Sequence, residues 1–243
     1  MQASDSLTLQ PDSVAAILPA AGSGQRFGAA SNKLFAELAG KPLWFHAASR
    51  LAAAESVGRV VLAVSQVDEP VFRNQYASLI DQLGIELIRG GSERTDSVQA
   101  GLDHLADDAG IELVAVHDAA RPLVRPRDLT AVFAAAQRTG AAILATPMPG
   151  TVKRGQLETG ASITVDRRGL WLALTPQVFH LGLLKQAYHK HNGRPATDDA
   201  QLVERTGHEV TLVKGSADNL KITYPEDLQV AEAILATQVQ QAR

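Results

Sequence analysis

A glycine-rich stretch near the amino terminus combines backbone freedom with two cationic side chains. The stretch, LPAAGSGQRFGAASNK, contains Gly22, Gly24 and Gly28 together with Arg26 and Lys33. Glycines let backbone amides approach phosphate oxygens closely, and cations neutralise the charge of a polyphosphate. The spacing stretches the dinucleotide pattern G-x-G-x-x-G by one residue, and the lysine lacks the Ser or Thr that follows it in a Walker loop. The stretch therefore favours a polyphosphate site, although an isolated glycine-rich loop is more often a turn.

A second polar loop, GGSERTDS, follows the apolar run IELI. The paired glycines, Gly90 and Gly91, would let the backbone approach a flat ligand, and the hydroxyls of Ser92 and Ser97 could hydrogen-bond the edge of a base. The same loop also suits the cap of a helix that we predict to begin near Thr95. The loop is therefore compatible with a base-binding site and equally with a structural cap.

A third polar segment, VHDAARP, follows another apolar run and carries Asp118 and Arg121. A carboxylate there can hold a divalent cation or a sugar hydroxyl, and a guanidinium can bind phosphate. An internal ion pair between the two residues is an equally good interpretation of the segment alone. Its chemistry depends on what lies next to it.

Further polar residues are scattered over the second half of the chain, where isolated charges are usually solvated. Two histidines there, His189 and His191, are two positions apart and would point to different faces of a helix, so they do not predict a metal site. The motifs G-x-S-x-G and H-E-x-x-H are absent. The scattered candidates are Thr151, Arg167, Thr175, Asp198, Asp199, Asp218 and Lys221.

Short β-branched apolar runs alternate with longer amphipathic segments, a pattern that predicts right-handed βαβ units. We therefore expect an α/β fold, with a Rossmann-like, mostly parallel sheet, helices on both faces, and ligands at the carboxyl ends of the strands. The predicted strands are Val14 to Leu18, Arg59 to Val64, Ile85 to Ile88, Leu113 to Val116 and Ala141 to Ala145. The predicted helices are Leu43 to Ala54, Thr95 to Leu105 and Pro126 to Thr139.

The alternation breaks after Ala145, where β-prone pieces at Thr151 to Arg154 and Ser162 to Arg167 predict a projecting hairpin, an arm at about 148–170. Two strands alone are marginally stable in water, so the arm should pack against another surface, most simply a second subunit. A floppy loop is the alternative. From Pro176 we predict a return to helical segments, then a strand near Val210 to Val213 and a final helix that begins near Pro225.

The composition limits the classes of function. A formal net charge of -3 and a pI near 6.2 give no sign of the basic surface that nucleic-acid binding requires, and no apolar stretch approaches the length of a membrane span. The chain has no cysteine, which excludes disulfides and thiolate metal ligands and suits a reducing compartment. We predict a cytoplasmic protein with a flexible tail at 1–13 and a single domain at 14–243.

Taken in order, the motifs PAAGSGQRF, GGSERTDS, VHDAARP, TVDRRGLWLALTPQ, TDDAQLVE and ADNLKITYPEDL resemble those of the 2-C-methyl-D-erythritol 4-phosphate cytidylyltransferases. The resemblance runs from about Val14 to Ala236. It implies a homodimeric nucleotidyltransferase of the non-mevalonate isoprenoid pathway, which joins CTP to methylerythritol phosphate, releases diphosphate and uses Mg²⁺ or another divalent cation.

The resemblance also implies roles for individual residues. Arg26 and Lys33 would stabilise the transition state at the α-phosphate, and Arg167, on the arm that reaches the partner's site, would position the substrate phosphate with Lys221. Magnesium would enter mainly on the phosphates of CTP, with Asp118 as a possible ligand. The nucleotide would contact Ala20, Ala21, Gly22, Gly24, Gly91, Ser92 and Ser97, although members of the family often have Asp at the position of Ser92. The other substrate would contact Asp118, Arg121, Thr151, Arg167, Thr175 and Lys221.

Three alternatives stay open at this point. A cytidylyltransferase for another polyol phosphate, such as ribitol 5-phosphate, shares the glycine-rich loop and a segment like HDAARP. A regulatory protein could bind a nucleotide through the same loop without turnover. A Rossmann dehydrogenase would need an acid at the end of the second strand to hold the ribose, and Asp68 comes late for that role.

Overall fold

The predicted apolar runs form the central strands of the computed structural model, which describes residues 9–22, 27, 32–106, 108–156 and 158–241. The strands are β1 (Val14–Ala20), β2 (Glu37–Leu38), β3 (Lys41–Pro42), β4 (Val57–Val64), β5 (Ile85–Arg89), β6 (Leu113–Val116), β7 (Ala141–Pro147), β8 (Val152–Gly155), β9 (Ser162–Val165), β10 (Trp171–His180) and β11 (Thr211–Lys214). The helices are α1 (Leu43–Ala52), α2 (Glu69–Gln75), α3 (Ala77–Leu83), α4 (Arg94–His104), α5 (Pro126–Thr139), α6 (Leu181–His189), α7 (Asp199–Glu204) and α8 (Asp227–Gln241).

The main sheet has seven strands in the order β11-β7-β10-β6-β1-β4-β5. β1 pairs in parallel with β4 and β6, β4 with β5, and β11 with β7, while β10 is antiparallel to both of its neighbours. This confirms the predicted α/β class with a mostly parallel sheet. The carboxyl ends of β1, β5 and β6 therefore meet at one edge, where the three polar loops follow them.

β1 shows why the sheet is covered on both faces. Successive side chains of a strand point to opposite sides, and both sets are apolar here. Val14, Ala16 and Leu18 pack in a core with residues of α1, α5 and α8, whereas Ala15 and Ile17 pack in a second core with residues of α4, α6 and α7. The helices thus hold the strand ends, and the loops that follow them, on a rigid base.

The expectation of helical segments from Pro176 onward was wrong for the first residues, because β10 runs through Pro176 to His180 and α6 begins only at Leu181. A proline lacks the amide donor that a sheet ladder needs, and the pairing of β10 with β7 is irregular between Ala173 and Gln177. The strand continues past the proline because Val178 and Phe179, the next apolar residues of β10, are fully buried and pair with β6 and β7.

The predicted hairpin is present as β8 and β9, which pair antiparallel from Val152 opposite Val165 to Gly155 opposite Ser162. Its side chains are mostly exposed, including Ile163. Its role in a dimer stays a prediction. Within the predicted tail, Leu9 packs partly against the core and Ser13 is buried. Among the described residues, no helix is long and apolar enough to cross a membrane.

Candidate active site

A cleft of about 540 Å³ opens where β1, β5 and β6 end, so the fold places it where a parallel sheet is expected to bind ligands. The loops after these three strands form its walls, and the segment before α8 completes it. The predicted site residues that line the cleft are Ala20, Ala21, Gly22, Lys33, Ser92, Ser97, Asp118 and Lys221.

The glycine-rich loop borders the cleft at both of its ends. Gly22 follows β1, and Lys33 begins a short 3₁₀ turn, Lys33–Phe35, at the far end. The Lys33 ammonium donates to the carbonyl of Ile222 at 2.9 Å, which places it beside the segment that carries Lys221. Gly24, Arg26 and Gly28 lie outside the described residues, so their predicted roles stay predictions.

The loop after β5 needs its two glycines because the chain passes very close to α4. A Cβ at Gly90 would come within 2.6 Å of the Ser97 hydroxyl, and one at Gly91 within 2.2 Å of the Asp96 Cβ. Asp96 accepts from the backbone amide of Glu93 at 3.0 Å in a capping box, and also from the Ser92 hydroxyl at 3.0 Å. The structural cap is thus present, while Ser92 and Ser97 still line the cleft, and base recognition stays a prediction.

Asp118 is the electrostatic centre of the cleft. Its carboxylate lies 2.8 Å from the ammonium of Lys221, 3.3 Å from the Nε of Arg94 and 3.6 Å from the Nε of Arg121. Burial alone would raise the pKa of this carboxyl, but Arg94, Lys221 and Arg121 hold it well below its usual range. Asp118 is therefore ionised at neutral pH and aligns three cations, two of which, Arg94 and Lys221, line the cleft.

The internal ion pair between Asp118 and Arg121, which was one of the two interpretations of VHDAARP, is present. The Arg121 side chain is nearly buried, donates to the carbonyl of Asn219 at 2.7 Å and lies behind the cleft wall. Arg121 therefore ties the loop after β6 to the segment before α8. Direct binding of substrate by Arg121 stays a prediction.

Beneath Asp118, a chain of hydrogen bonds fixes a buried histidine. The Nε2 of His117 donates to the carbonyl of Arg121, so its Nδ1 accepts from the Thr175 hydroxyl, which itself accepts from the Asp118 amide. Thr175 is 5% exposed and holds the Asp118 loop from below, and its predicted contact with substrate stays a prediction. Burial lowers the pKa of His117 from its ordinary 6.5 to about 4, so the imidazole is neutral.

We expect the free energy of unfolding to fall as the pH drops from about 6.5 to about 4, because the unfolded imidazole of His117 binds a proton in this range and the folded one does not. Urea unfolding at a series of pH values measures the slope. His117→Gln should reduce the slope, leaving the parts due to His46, whose pKa burial also lowers, and to Glu86 and Glu69, whose pKa values are lowered by hydrogen bonds from arginines. His189→Gln, at an exposed position, is the control. An unaltered slope in His117→Gln would contradict the assignment.

Arg94 was missed in the sequence analysis, and Asp199 was named there only among the scattered polar candidates, without a role in the site. Asp199 is fully buried, lies 2.7 Å from the Nη2 of Arg94, and accepts from the hydroxyl of Tyr188 at 2.5 Å. Burial opposes the charge on Arg94, but Asp199 and Asp118 raise the pKa of its guanidinium. The two carboxylates thus fix a permanent cation in the cleft wall, and 105 positions of sequence separation hid the contact.

Thr151 and Arg167 are not brought to the cleft within one chain. Arg167, beyond β9, donates to the carbonyl of Pro149 and borders a second cleft of about 630 Å³ beside Trp171 and Lys214. Thr151 is exposed just before β8. Their predicted action on a partner's site is compatible with this placement and stays a prediction.

A metal site made of protein ligands alone finds no support in the described residues, which contain no group of three His, Asp or Glu side chains able to share an ion. Asp118 and Glu93 border the cleft, but Asp118 already faces three cations. Mg²⁺ in phosphate sites is usually held by one or two carboxylates together with substrate phosphates and water. The residues therefore fit an ion carried by a polyphosphate better than a permanently bound one.

Comparison with known proteins agrees with the ordered motifs. A model of the family described as 2-C-methyl-D-erythritol 4-phosphate cytidylyltransferase matches residues 14–237. The protein of that name from Rhodopirellula baltica is 58% identical over 233 residues, 92% of this chain and 95% of the relative. The crystal structure of the protein of that name from Thermus thermophilus is 36% identical, with a TM-score of 0.73 over 91% of this chain and 98% of that one. The chain belongs to the 2-C-methyl-D-erythritol 4-phosphate cytidylyltransferase family.

Proposed function

We propose that this protein transfers a cytidylyl group from CTP to 2-C-methyl-D-erythritol 4-phosphate, releasing diphosphate and 4-diphosphocytidyl-2-C-methyl-D-erythritol. The observation that carries the proposal is the convergence of Lys33, Arg94 and Lys221 with Asp118 in one cleft at the carboxyl edge of the sheet. A reaction between two phosphate groups needs positioned cations more than it needs a base, and this cleft supplies them.

In the proposed mechanism, an oxygen of the methylerythritol phosphate attacks the α-phosphorus of CTP in line with the leaving diphosphate. A new P–O bond forms on one side as the bond to the β-phosphate oxygen breaks on the other, and the bonding electrons leave with the diphosphate. The attacking phosphate is already ionised at neutral pH, so no general base is required. Lys33, with Arg26 in its predicted role, neutralises the charge that gathers around the α-phosphorus.

The wall around Asp118 would hold the acceptor substrate. Asp118 can accept hydrogen bonds from polyol hydroxyls, and Lys221, 2.8 Å from it and 38% exposed in its side chain, can bind the substrate phosphate. Mg²⁺ would enter with the nucleotide, beside Asp118, and would shield the triphosphate and make diphosphate a better leaving group.

The test is a diphosphate-release assay with purified protein, CTP, magnesium and either methylerythritol phosphate or ribitol 5-phosphate. We expect release that requires CTP together with methylerythritol phosphate, and much slower release with ribitol 5-phosphate. A higher kcat/KM with ribitol 5-phosphate would assign a different polyol. Tight CTP binding without release by folded protein would favour a regulatory role and contradict the proposal.

We further propose a homodimer in which the arm of one subunit completes the site of the other. Leu170, Trp171 and Leu172, where the arm ends and β10 begins, are 38%, 37% and 54% exposed, a run of apolar surface that a second copy would cover. Arg167 lies beside this run and outside the cleft of its own chain. A shared site explains how a residue so placed could act on substrate.

The shared site predicts complementation between two inactive variants, Lys33→Ala and Arg167→Ala. A mixed dimer would contain one site with both side chains intact and one with neither, so after full subunit exchange we expect about a quarter of the wild-type activity. Activity of the mixture against exchange time, with exchange followed by mass spectrometry of tagged subunits, measures it. Complete exchange without recovery would contradict the shared site.

A further inference from the structure

The carboxamide of Asn32, immediately before Lys33, joins the two ends of the glycine-rich loop. Its Nδ2 donates to the carbonyl of Gly22 at 3.3 Å and to the Oδ2 of Asp68 at 2.9 Å, while its Oδ1 accepts from the amide of Leu34 at 3.1 Å. The residue is only 8% exposed. One buried side chain therefore connects the start of the loop, the turn that carries Lys33, and the end of a neighbouring strand.

Asp68 holds Asn32 from the turn that follows β4. The hydroxyl of Ser65 donates to the same Oδ2 of Asp68 at 2.7 Å, and accepts from the Asp68 amide at 3.0 Å. The Asp68 carboxylate thus receives two donors from fixed positions and faces the loop. Asp68, which was weighed above as a ribose ligand, therefore hydrogen-bonds the residue that joins the two ends of the glycine-rich loop.

An aromatic contact fixes the other side of the same turn. Phe35 stacks on Tyr76 with centroids 5.6 Å apart and lies 5.1 Å from Phe72, which is fully buried against Trp44. Lys33 is therefore flanked by a hydrogen-bonded anchor at Asn32 and an apolar anchor at Phe35. Both anchors hold the backbone from which the lysine side chain extends.

We propose that Asn32 and Asp68 are positioning residues that hold Lys33 in place before the triphosphate binds. The proposal rests on the proposed function, in which Lys33 stabilises charge at the α-phosphorus. A preorganised cation stabilises the transition state without the cost of reorganisation, and a misplacement of about 1 Å can lower the rate by about 10². Neither Asn32 nor Asp68 lines the cleft, so both would act through Lys33.

The first test exchanges the donor and the acceptor of the hydrogen bond between Asn32 and Asp68, one residue at a time. Asn32→Asp keeps the acceptor for Leu34 but sets two carboxylates against each other at a site where the bonded atoms lie 2.9 Å apart. We expect kcat to fall by about 10- to 100-fold, with a much smaller change in the KM for methylerythritol phosphate. Adding Asp68→Asn gives the introduced carboxylate a donor again, and we expect the double variant to recover part of the lost kcat, because the bond to the Gly22 carbonyl is not restored. No recovery, at equal thermal stability, would overturn the proposal.

The second test asks whether the effect passes through Lys33. In a double-mutant cycle, Asn32→Asp should cost little additional kcat in a Lys33→Ala background, because the group that it positions is gone. An equal loss in both backgrounds would mean a merely structural role and would overturn the proposal. Asn32→Ala carries the same cycle if Asn32→Asp does not fold. Asp81→Asn, exposed on α3, is the matched control and should leave kcat unchanged.

The activity of the wild-type protein distinguishes a failure of the proposed function from a failure of the positioning role. If wild-type protein does not release diphosphate from CTP with methylerythritol phosphate, the proposed function fails and with it the positioning role. If wild-type protein is active and Asn32→Asp keeps its full kcat, only the positioning role fails.

Discussion

Lys33→Ala is expected to lower kcat by about 10² to 10³, because it removes one preorganised group that stabilises charge in the transition state. The lysine ammonium lies at the edge of the cleft, 2.9 Å from the carbonyl of Ile222, the residue that follows Lys221 in the chain. Steady-state kinetics with both substrates at saturation measures the effect. Lys33→Arg keeps the charge with a different shape, so we expect only partial activity.

The control for this prediction is Lys41→Ala, which removes an exposed lysine that lies over the ring of Phe45 and is absent from the cleft lining. It should retain kcat near that of the wild type. A Lys33→Ala variant with a kcat within a few-fold of the wild type, at unchanged thermal stability, would remove Lys33 from the catalytic role.

Asp118→Ala is expected to abolish most activity and to destabilise the fold. Its removal leaves Arg121 and Lys221 without the carboxylate that faces them, while Arg94 keeps Asp199. Breaking a buried ion pair by removing one partner typically costs about 3–5 kcal/mol, because a charge is left uncompensated. Urea unfolding at pH 7 and steady-state kinetics measure the two effects separately.

The stability that Asp118 contributes depends on pH in a defined direction. Because the pKa of Asp118 is depressed in the folded protein, its contribution to stability is complete above its ordinary value near 3.8 and is lost as the pH falls further. The difference in stability between wild type and Asp118→Ala should therefore shrink in acid. Asp103→Ala, at an exposed position of α4, is the control and should change neither the stability nor kcat. Wild-type stability in Asp118→Ala would show that the cations need no carboxylate there.

The parallel part of the fold could be predicted from the sequence because its strands are buried on both faces. A run such as that of β4 is almost continuously apolar, and such runs occur where helices cover both sides of a sheet. β10 could not be found in this way, because Thr175, Pro176 and Gln177 interrupt its apolar pattern. The two polar residues, Thr175 and Gln177, are tolerated because both hydrogen-bond inside the protein.

The residues of the site also fall into those that could be predicted from the sequence and those that could not. The glycine-rich loop and Asp118 follow parallel strands, so their convergence could be predicted from topology, whereas the role of Lys221 was implied only by the resemblance of its motif. Asp199 could not be predicted, since nothing in its local sequence shows that the chain folds it against Arg94. Asp68 was weighed only as a ribose ligand, because its contact with Asn32 depends on where two distant loops meet.

The most direct test of the account follows the fate of each phosphate of CTP. Folded wild-type protein is incubated with methylerythritol phosphate, magnesium and CTP that is radiolabelled either at the α- or at the γ-phosphate, and the products are separated. In-line attack at the α-phosphorus predicts that the α-label passes to the cytidylylated polyol, in equal amount to the diphosphate, and that the γ-label appears only in the diphosphate. Transfer of the γ-label to the polyol phosphate, or no transfer of the α-label, would contradict the account.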